Sequence, residues 1–311
     1  MKKIFILTAL AVLLGVASAT AQLIAVVFEN GETNVYQTLP QAIEGAGDGS
    51  VIYLPGGGFP LPDSVKITKK IIIIGIGHKS NNDNVDGTTT IAGNLFFNEG
   101  SSGSAVMGCY ITGDVNIGDG GTTVNDIMMR YCNLNNVIVN NNTCLGTTIN
   151  QNYIRGNCQF NNSKANVTNN IMYRFYNLVN GIVKNNIIIT GGGDSNNCII
   201  NNNIFVKNTI GGNNLVSNNM SKADYGDNFI NIGDVDWNDV FMNYNGGAIN
   251  PMSDFHFKEA YQQYSNIGIY GGSGFNDHQT APVPYTFAKR IDDQTDAAGN
   301  LKIQVRIKNG E

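Results

Sequence analysis

Four cationic residues recur at nearly the same phase of a sequence repeat, which makes them candidates for binding a charged ligand. They are Arg155, Arg174, Lys207 and Lys222. Each follows a repeated turn position by three or four residues, and Thr190 takes this place in the intervening unit. Cations at such intervals along one edge could contact successive charges of an acidic (uronate) polysaccharide. Solubilising residues that follow a turn would give the same spacing and are the more ordinary interpretation.

The stretch after the repeats carries oxygen ligands at alternate positions, as calcium-binding loops do. Its carboxylates are Asp234, Asp236 and Asp239, and Asn238 lies between the last two. The glycine and the distal glutamate of an EF-hand loop are missing. These aspartates form a candidate Ca²⁺ site, although solvated turn carboxylates are the interpretation that we favour. Ca²⁺ is the one cofactor that the sequence suggests.

The repeats carry few of the side chains that catalyse hydrolysis or elimination. From residue 104 to residue 222 there is no glutamate, and the aspartates are Asp114, Asp119, Asp126 and Asp194. They fall at different phases of the repeat, so the paired carboxylates of a glycosidase are not expected. The three histidines, at positions 78, 256 and 278, are scattered, which disfavours a zinc site or a histidine base.

The five cysteines lie within the repeats and have no CxxC spacing; they are Cys109, Cys132, Cys144, Cys158 and Cys198. An exported protein permits disulfides, but an odd number leaves at least one thiol free. Cys109 and Cys132 share one repeat position, where corner atoms of adjacent turns could come within disulfide distance. Buried free thiols, packed as small apolar groups, are the simpler expectation.

The chain begins with a pattern typical of a secretory signal peptide. Lys2 and Lys3 precede an apolar run over residues 4–16, and small residues lead up to Ala21. The run is too short for a membrane span, so we expect cleavage near Ala21 and a secreted, periplasmic or cell-surface bacterial protein. A net charge of −5 with 14% charged residues argues against a nucleic-acid partner. We expect a monomer.

The candidate residues lie on a short internal repeat. Residues 167–171, 183–187, 200–204 and 216–220 read VTNNI, VKNNI, INNNI and VSNNM, and weaker, longer units precede them at 106–110, 129–133 and 149–153. A unit of about 16 to 24 residues cannot hold two packed helices, and asparagine, glycine and β-branched residues disfavour helix interiors. The repeat therefore predicts an all-β, single-stranded parallel β-helix (solenoid) of about ten turns.

Stacked turns place like residues in columns, about 4.8 Å apart. We predict three inward-facing columns. The first is Val106, Met129, Ile149, Val167, Val183, Ile200 and Val216; the second is Gly108, Tyr131, Gln151, Asn169, Asn185, Asn202 and Asn218; the third is Tyr110, Asn133, Tyr153, Ile171, Ile187, Ile204 and Met220.

The position between the second and third columns is predicted to be the corner of each turn. It holds Cys109, Cys132, Asn152, Asn170, Asn186, Asn203 and Asn219. Asparagine tolerates positive φ better than other non-glycine residues, and a sharp bend often needs that conformation. The neighbouring amides are expected to form a hydrogen-bonded ladder, because a buried amide without partners costs about 1 to 3 kcal/mol.

A capping helix is predicted ahead of the repeats. Thr38 can cap it, Pro40 suits its first turn, and its apolar face would comprise Leu39, Ala42, Ile43 and Ala46. The AGDG turn at 46–49, the Pro-Gly pair at 55–56 and the strand at 69–77 follow. Together these features resemble the pectate-lyase-like right-handed parallel β-helix superfamily. The resemblance implies a right-handed coil whose N-terminal end is plugged by the helix.

The C-terminal part is predicted to close the solenoid. Residues 253–258 and 268–272 resemble the closing rung of secreted members of the superfamily, and residues 301–308 alternate apolar and charged side chains. That alternation predicts a half-exposed strand that packs back as a cap. The expected organisation is a signal peptide at 1–21, the β-helix with its N-terminal cap at 22–245, and a closing rung with a cap segment at 246–311.

The enzymes of this superfamily act on acidic polysaccharides, and the resemblance implies the same substrates for a catalytic member. The motifs of polygalacturonases and the Arg-x-Pro-x-x-Arg signature of pectate lyases are missing, apart from a chance Arg-Ile-Lys match at 306–308. We therefore expect an exported, non-catalytic polysaccharide-binding or surface scaffold protein. The alternative is a diverged polysaccharide lyase or glycoside hydrolase acting on uronate glycans.

Overall fold

The computed structural model describes residues 23–79, 87–208, 211–245, 249 and 253–277, and the backbone of two later strands. Here the chain forms a β-solenoid of about eight turns from parallel sheets. The parallel β-helix prediction is confirmed, with about eight turns where ten were expected, because the chain leaves the coil after the strand Phe229–Asn231. The predicted signal peptide lies outside the described residues.

The first sheet takes one strand from each turn. Its spatial order is Thr33–Tyr36, Ile24–Val27, Ser50–Tyr53, Ile71–Ile74, Ala105–Met107, Met128–Arg130, Thr147–Asn150, Ala165–Thr168, Ile182–Lys184, Ile199–Asn201 and Leu215–Ser217. The first two strands pair antiparallel at the N-terminal end, and the others are parallel. The register follows the sequence repeat, since Val167 pairs with Val183 and Val183 with Ile200.

The second sheet takes the remaining strands. Its main path is Gly57–Leu61, Thr89–Gly93, Tyr110–Ile111, Asn133–Leu134, Tyr153–Gln159, Ile171–Tyr176, Ile187–Ile188, Ile204–Phe205, Asn219–Ser221 and Phe229–Asn231, joined by Leu95–Phe97, Val115–Ile117 and Val137–Val139. These last three are an additional strand in the long early turns. In later turns only isolated bridges remain at this place, Phe175 with Gly192 and Val179 with Asn196.

The capping helix is confirmed at Leu39–Gly45. Thr38 is its N-cap, and Leu39, Ala42 and Ile43 are buried in the solenoid core. The Nζ atom of Lys69 donates to the carbonyl oxygens of Glu44 at 2.7 Å and Ala46 at 2.5 Å. A cation at this end satisfies carbonyls that the helix itself leaves unpaired.

The bend between the two sheets lies one residue earlier than predicted. Positive φ angles, between 52° and 65°, occur along the second column: Gly108, Tyr131, Gln151, Asn169, Asn185, Asn202 and Asn218. The assignment of the corner to the following residue was therefore wrong. A left-handed residue shifts the in-and-out alternation of the strand by one position. The next residue consequently points into the core, and the second column lies at the outer edge of the bend.

The amide ladder runs inside the coil at the position that was predicted to be the corner. Asn152, Asn170, Asn186, Asn203 and Asn219 are fully buried. The Nδ2 of each of the first four donates to the Oδ1 of the next asparagine at 2.9 to 3.0 Å. The main-chain N–H of each of the first four donates to the same oxygen. In the earlier turns Cys109 and Cys132 hold this position and are also fully buried.

The first apolar column faces inward as predicted, but the third column faces outward. Ile154, Met172, Ile188 and Phe205 join the first column in the solenoid core. Their neighbours Tyr153, Ile171, Ile187, Ile204 and Met220 belong to a second apolar core outside the coil. The predicted orientation of the third column was wrong because of the same shift in alternation at the bend.

A C-terminal layer covers this outer face. It contains the helix Trp237–Val240, the antiparallel strands Phe241–Asn243 and Asp254–Phe257, and the 3-10 helix Glu259–Tyr264; a further 3-10 helix, Asp119–Gly121, lies in an early loop. The buried residues that the layer contributes include Trp237, Phe241 and Phe257. Asp254–Phe257, which the resemblance suggested as part of a closing rung, pairs with Phe241–Asn243 and not with either parallel sheet.

The segment 266–277, which we name the strap, runs lengthwise back across the turns. Gly268 donates its N–H to the carbonyl of Asn202 at 2.8 Å. The side chain of Asn185 donates to the carbonyls of Asn266 and Gly268, and that of Asn169 donates to those of Ile269 and Gly271. Finally, the N–H of Asn276 donates to Oε1 of Gln151 at 2.8 Å. The outward turn residues therefore hold the strap through its main chain.

Two late strands, Pro284–Ile291 and Ile303–Asn309, pair antiparallel with each other. The second confirms the strand predicted over 301–308. The prediction that it packs back as a cap concerns side chains outside the described residues.

Candidate functional site

The four predicted cations, which we name the basic flank, lie outside the coil in two adjacent columns. Pairing of Ile154 with Met172, and of Phe205 with Ser221, sets the register on this face. Arg155 and Lys222 occupy the next position and are half-buried. Arg174 and Lys207 lie one residue further and are exposed. Both columns border the second core, so the structure brings the flank to one side of the solenoid without placing it in a single row.

Arg155 is anchored to the solenoid. Its Nε donates to Oδ1 of Asn133 at 2.9 Å, and its Nη2 donates to the carbonyl of Ile111 at 2.8 Å. Its guanidinium carbon lies 4.7 Å from the centroid of the Tyr110 ring. These contacts fix the cation across two preceding turns and use part of its hydrogen-bonding capacity on the protein itself.

Within the described part of the chain, the side chains of the other flank cations make no hydrogen bond. Arg174 lies over the ring of Tyr176 at 5.0 Å, and Lys222 over that of Trp237 at 5.6 Å. Among the described residues the contacts between basic and acidic side chains join Lys66 to Asp119 and His256 to Asp254. No carboxylate of the described chain therefore neutralises the basic flank.

A third arginine on a tyrosine ring was missed by the sequence analysis. Arg130 ends a strand of the first sheet, and its guanidinium carbon lies 4.5 Å from the centroid of the Tyr131 ring. The four predicted cations all follow a bend, whereas Arg130 directly precedes one. The sequence signal was the direct succession of arginine and tyrosine at a bend, where the two side chains can meet.

Two of the three candidate calcium ligands, Asp236 and Asp239, lie at the start of a short helix. Asp236 is the N-cap of the helix Trp237–Val240, and its Oδ1 accepts from the N–H of Asn238 at 2.8 Å. Asp239 lies in the first turn of that helix. Within the part of the chain that the structure describes, no three His, Cys, Asp or Glu side chains are grouped so as to hold a metal ion.

Two of the four aspartates of the repeats, Asp114 and Asp119, make structural contacts. Oδ1 of Asp114 accepts from the side-chain amides of Asn135 and Asn136 at 2.7 and 2.8 Å. Asp119 lies 3.6 Å from Nζ of Lys66. Such contacts hold the carboxylates in place as acceptors at the loops of the early turns.

An aromatic and acidic cluster lies on the C-terminal layer. Nδ1 of His256 is 2.7 Å from Oδ1 of Asp254, and its ring stacks on Tyr270 with centroids 3.8 Å apart. The hydroxyl of Tyr270 donates to Oδ1 of Asp277 at 2.7 Å. Burial and that hydrogen bond to Asp277 raise the pKa of Tyr270. The phenol therefore stays protonated and acts as a donor.

All five cysteines are free and buried, so the pairing of Cys109 with Cys132 is not formed. Burial raises the pKa of Cys132 and of Cys158 to about 12. Burial also raises the pKa of the other three thiols. A protonated, inaccessible thiol is a poor nucleophile and a poor metal ligand, which is consistent with a packing role.

Comparison with protein-family models, with curated proteins and with solved structures finds no match to this chain. Among the described residues, no helix has the length and apolar character needed to cross a membrane.

Proposed function

We propose that this protein is an exported, non-catalytic β-helix that binds acidic polysaccharides along its basic flank. The observation that carries the proposal is the state of the four cations: all lie outside the coil, and none has a carboxylate partner within the described chain. An anionic chain could supply the missing counter-charges. The net charge of −5 makes this a local feature of the surface and not a property of the whole protein.

The spacing of the flank suits a linear polyanion. Arg174 and Lys207 lie two turns apart, with Thr190 between them, and Arg155 and Lys222 lie four turns apart. At about 4.8 Å per turn these separations are about 10 and 19 Å along the axis. An extended chain parallel to the axis could meet several cations at once. Each exposed contact is worth about 0 to 1 kcal/mol, so binding should be multivalent and sensitive to salt.

The proposal also includes secretion of the protein and its membership in the pectate-lyase-like superfamily. The N-terminal pattern of Lys2 and Lys3, the apolar run at 4–16 and Ala21 supports secretion, and the helix-capped solenoid supports kinship with the pectate-lyase-like superfamily. Membership in that superfamily would be consistent with a polysaccharide ligand, although a shared fold alone does not determine function.

The test is retention of the mature protein on immobilised polygalacturonate at low salt. The triple variant Arg174→Gln, Lys207→Gln and Lys222→Gln should lose most of the retention while its melting temperature is unchanged, because none of these side chains makes a hydrogen bond to a described residue. Arg155→Gln is measured separately, since it also removes bonds to Asn133 and Ile111.

A matched control removes the same charge elsewhere. Lys70→Gln, Lys164→Gln and Lys184→Gln lie away from the flank, and the last is on the outer face of the first sheet. This variant should be retained like the parent protein. Equal loss in both triple variants, or no retention of the parent, would overturn the proposal. Release of unsaturated or reducing-end products from the polymer would favour the lyase or hydrolase alternative.

A further inference from the structure

A cavity of about 440 Å³ opens where the end of the strap meets the bend of the solenoid. One wall comes from two successive turns, through Arg130, Tyr131 and Gln151. The other comes from strap residues that include Ser273, Phe275 and Asp277. Its volume lies within the range of small-molecule sites, about 300 to 1,000 Å³.

Arg130 is the unsatisfied group of this cavity. Among the described residues its guanidinium makes no hydrogen bond and no ion pair, and its Nε is shielded from solvent. Arg155, by contrast, donates to Asn133 and Ile111. Because Nε is shielded, a ligand in the cavity would meet the terminal Nη groups of Arg130, and a carboxylate matches their planar arrangement with two parallel hydrogen bonds.

The rest of the lining favours a ligand that carries hydroxyl groups as well as a carboxylate. The Oε1 of Gln151 is occupied by the N–H of Asn276, while its NH₂ donates no hydrogen bond within the described chain. The exposed carboxylate of Asp277 accepts from Tyr270 through Oδ1, which leaves Oδ2 to accept from a ligand. Phe275 is buried in the second core and contributes an apolar wall.

This combination distinguishes between ligand classes. A simple anion such as acetate would use Arg130 but has no hydroxyl to donate to Asp277. A neutral sugar would use Asp277 and Gln151 but would leave Arg130 unpaired. A sugar acid can satisfy all three groups, because it presents a carboxylate and hydroxyls on one ring.

We propose that the cavity is a subsite for a single sugar-acid (uronate) residue, with its carboxylate on Arg130 and its hydroxyls on Asp277 and Gln151. The choice of ligand class rests on the proposed function, but the subsite uses none of the flank residues. The flank would attract the charged polymer through several weak contacts, and the subsite would recognise one of its sugar residues.

The experiment titrates the mature protein with digalacturonate and with its neutral counterpart, galactobiose, by calorimetry. We expect the parent to bind digalacturonate and to bind galactobiose at least tenfold more weakly. Arg130→Gln should reduce the digalacturonate affinity at least tenfold without lowering the melting temperature, because the guanidinium makes no hydrogen bond to the described residues. Asp277→Asn should weaken binding of both sugars.

Lys184→Gln is the matched control, since Lys184 occupies the same strand position as Arg130 three turns further on but does not line the cavity and is not part of the flank. It should leave digalacturonate binding unchanged. Equal affinity for the two disaccharides, equal losses in Arg130→Gln and Lys184→Gln, or no binding by the parent would each overturn the subsite. These results are separable from the flank test, because Arg130→Gln should still be retained on polygalacturonate, whereas the flank triple variant should still bind digalacturonate.

Discussion

At the scale of single residues, the adjacent asparagines Asn185 and Asn186 have different structural roles. Asn185 takes the left-handed conformation at the bend, with φ of 56°, and its amide lies outside the coil. Asn186 is fully buried and links the amides of Asn170 and Asn203. In each pair, the first asparagine therefore forms the bend, and the second makes the buried hydrogen bonds of the amide ladder.

The ladder makes a direct prediction for Asn186→Ala. The substitution removes the acceptor of the Asn170 N–H and the donor to Asn203. We expect a loss of about 2 to 4 kcal/mol in unfolding free energy, since each buried group left without a partner costs about 1 to 3 kcal/mol. Urea unfolding measures this loss. Asn166→Ala is the control, because Asn166 is on the outer face of the first sheet and its side chain makes no hydrogen bond to a described residue. A similar loss there would refute the role of the ladder.

The thiols give a second residue-scale prediction. All five are buried, and the pKa of Cys132 and of Cys158 is raised to about 12. The native protein should react with a thiol reagent at pH 8 far more slowly than the urea-unfolded chain, which should expose five thiols. Fast labelling of the native protein would contradict their burial.

The same pKa shifts predict how stability changes at alkaline pH. An unfolded thiol ionises near its usual pKa of about 8.5, whereas a thiol with a raised pKa keeps its proton in the folded state. The stabilising contribution is therefore complete below pH 8.5 and is lost as the pH rises towards 12 for Cys132 and Cys158. Urea midpoints measured from pH 8 to pH 11 should fall steadily, and replacing Cys158 with Ala should reduce the slope.

At the scale of elements, the sequence predicted the repeat but not what covers it. The period gave the register, and the first apolar column is inside as expected. The third column was misplaced because one left-handed residue shifts the alternation, and phase alone cannot reveal that shift. A usable signal was present at residues 187–189 and 204–206, which are apolar at three successive positions. Such runs are typical of strands buried on both faces.

The strap supplies the element-scale prediction. Asn185→Ala removes the bonds to the carbonyls of Asn266 and Gly268. Amide hydrogen exchange over residues 266–277 should become faster, while the inner strands keep their protection. Asn218→Ala is matched, because Asn218 has the same left-handed conformation, but among the described residues its side chain bonds only to Asn202 and not to the strap. If both variants accelerate exchange in the strap equally, the strap is not held by the turn amides.

At the scale of the whole molecule, the solenoid presents cations at fixed axial intervals. The positions of the basic flank could be predicted from the repeat, since they follow each bend. Their surroundings could not, because Arg155 is anchored by residues from other turns, Asn133 and Ile111. The cavity at Arg130 was equally hidden, because its far wall comes from the strap, well over a hundred residues later in the chain.

The most direct test of the central claim compares two forms of one polymer. The mature protein is titrated by calorimetry with polygalacturonate and with the same chain fully methyl-esterified, each at low and at moderate salt. Both forms have the same backbone, but only the first carries charges. The account predicts binding to polygalacturonate that weakens as salt screens the cations, and little binding to the esterified chain. Equal binding of the two forms, or binding indifferent to salt, would contradict recognition of an acidic glycan by the basic flank.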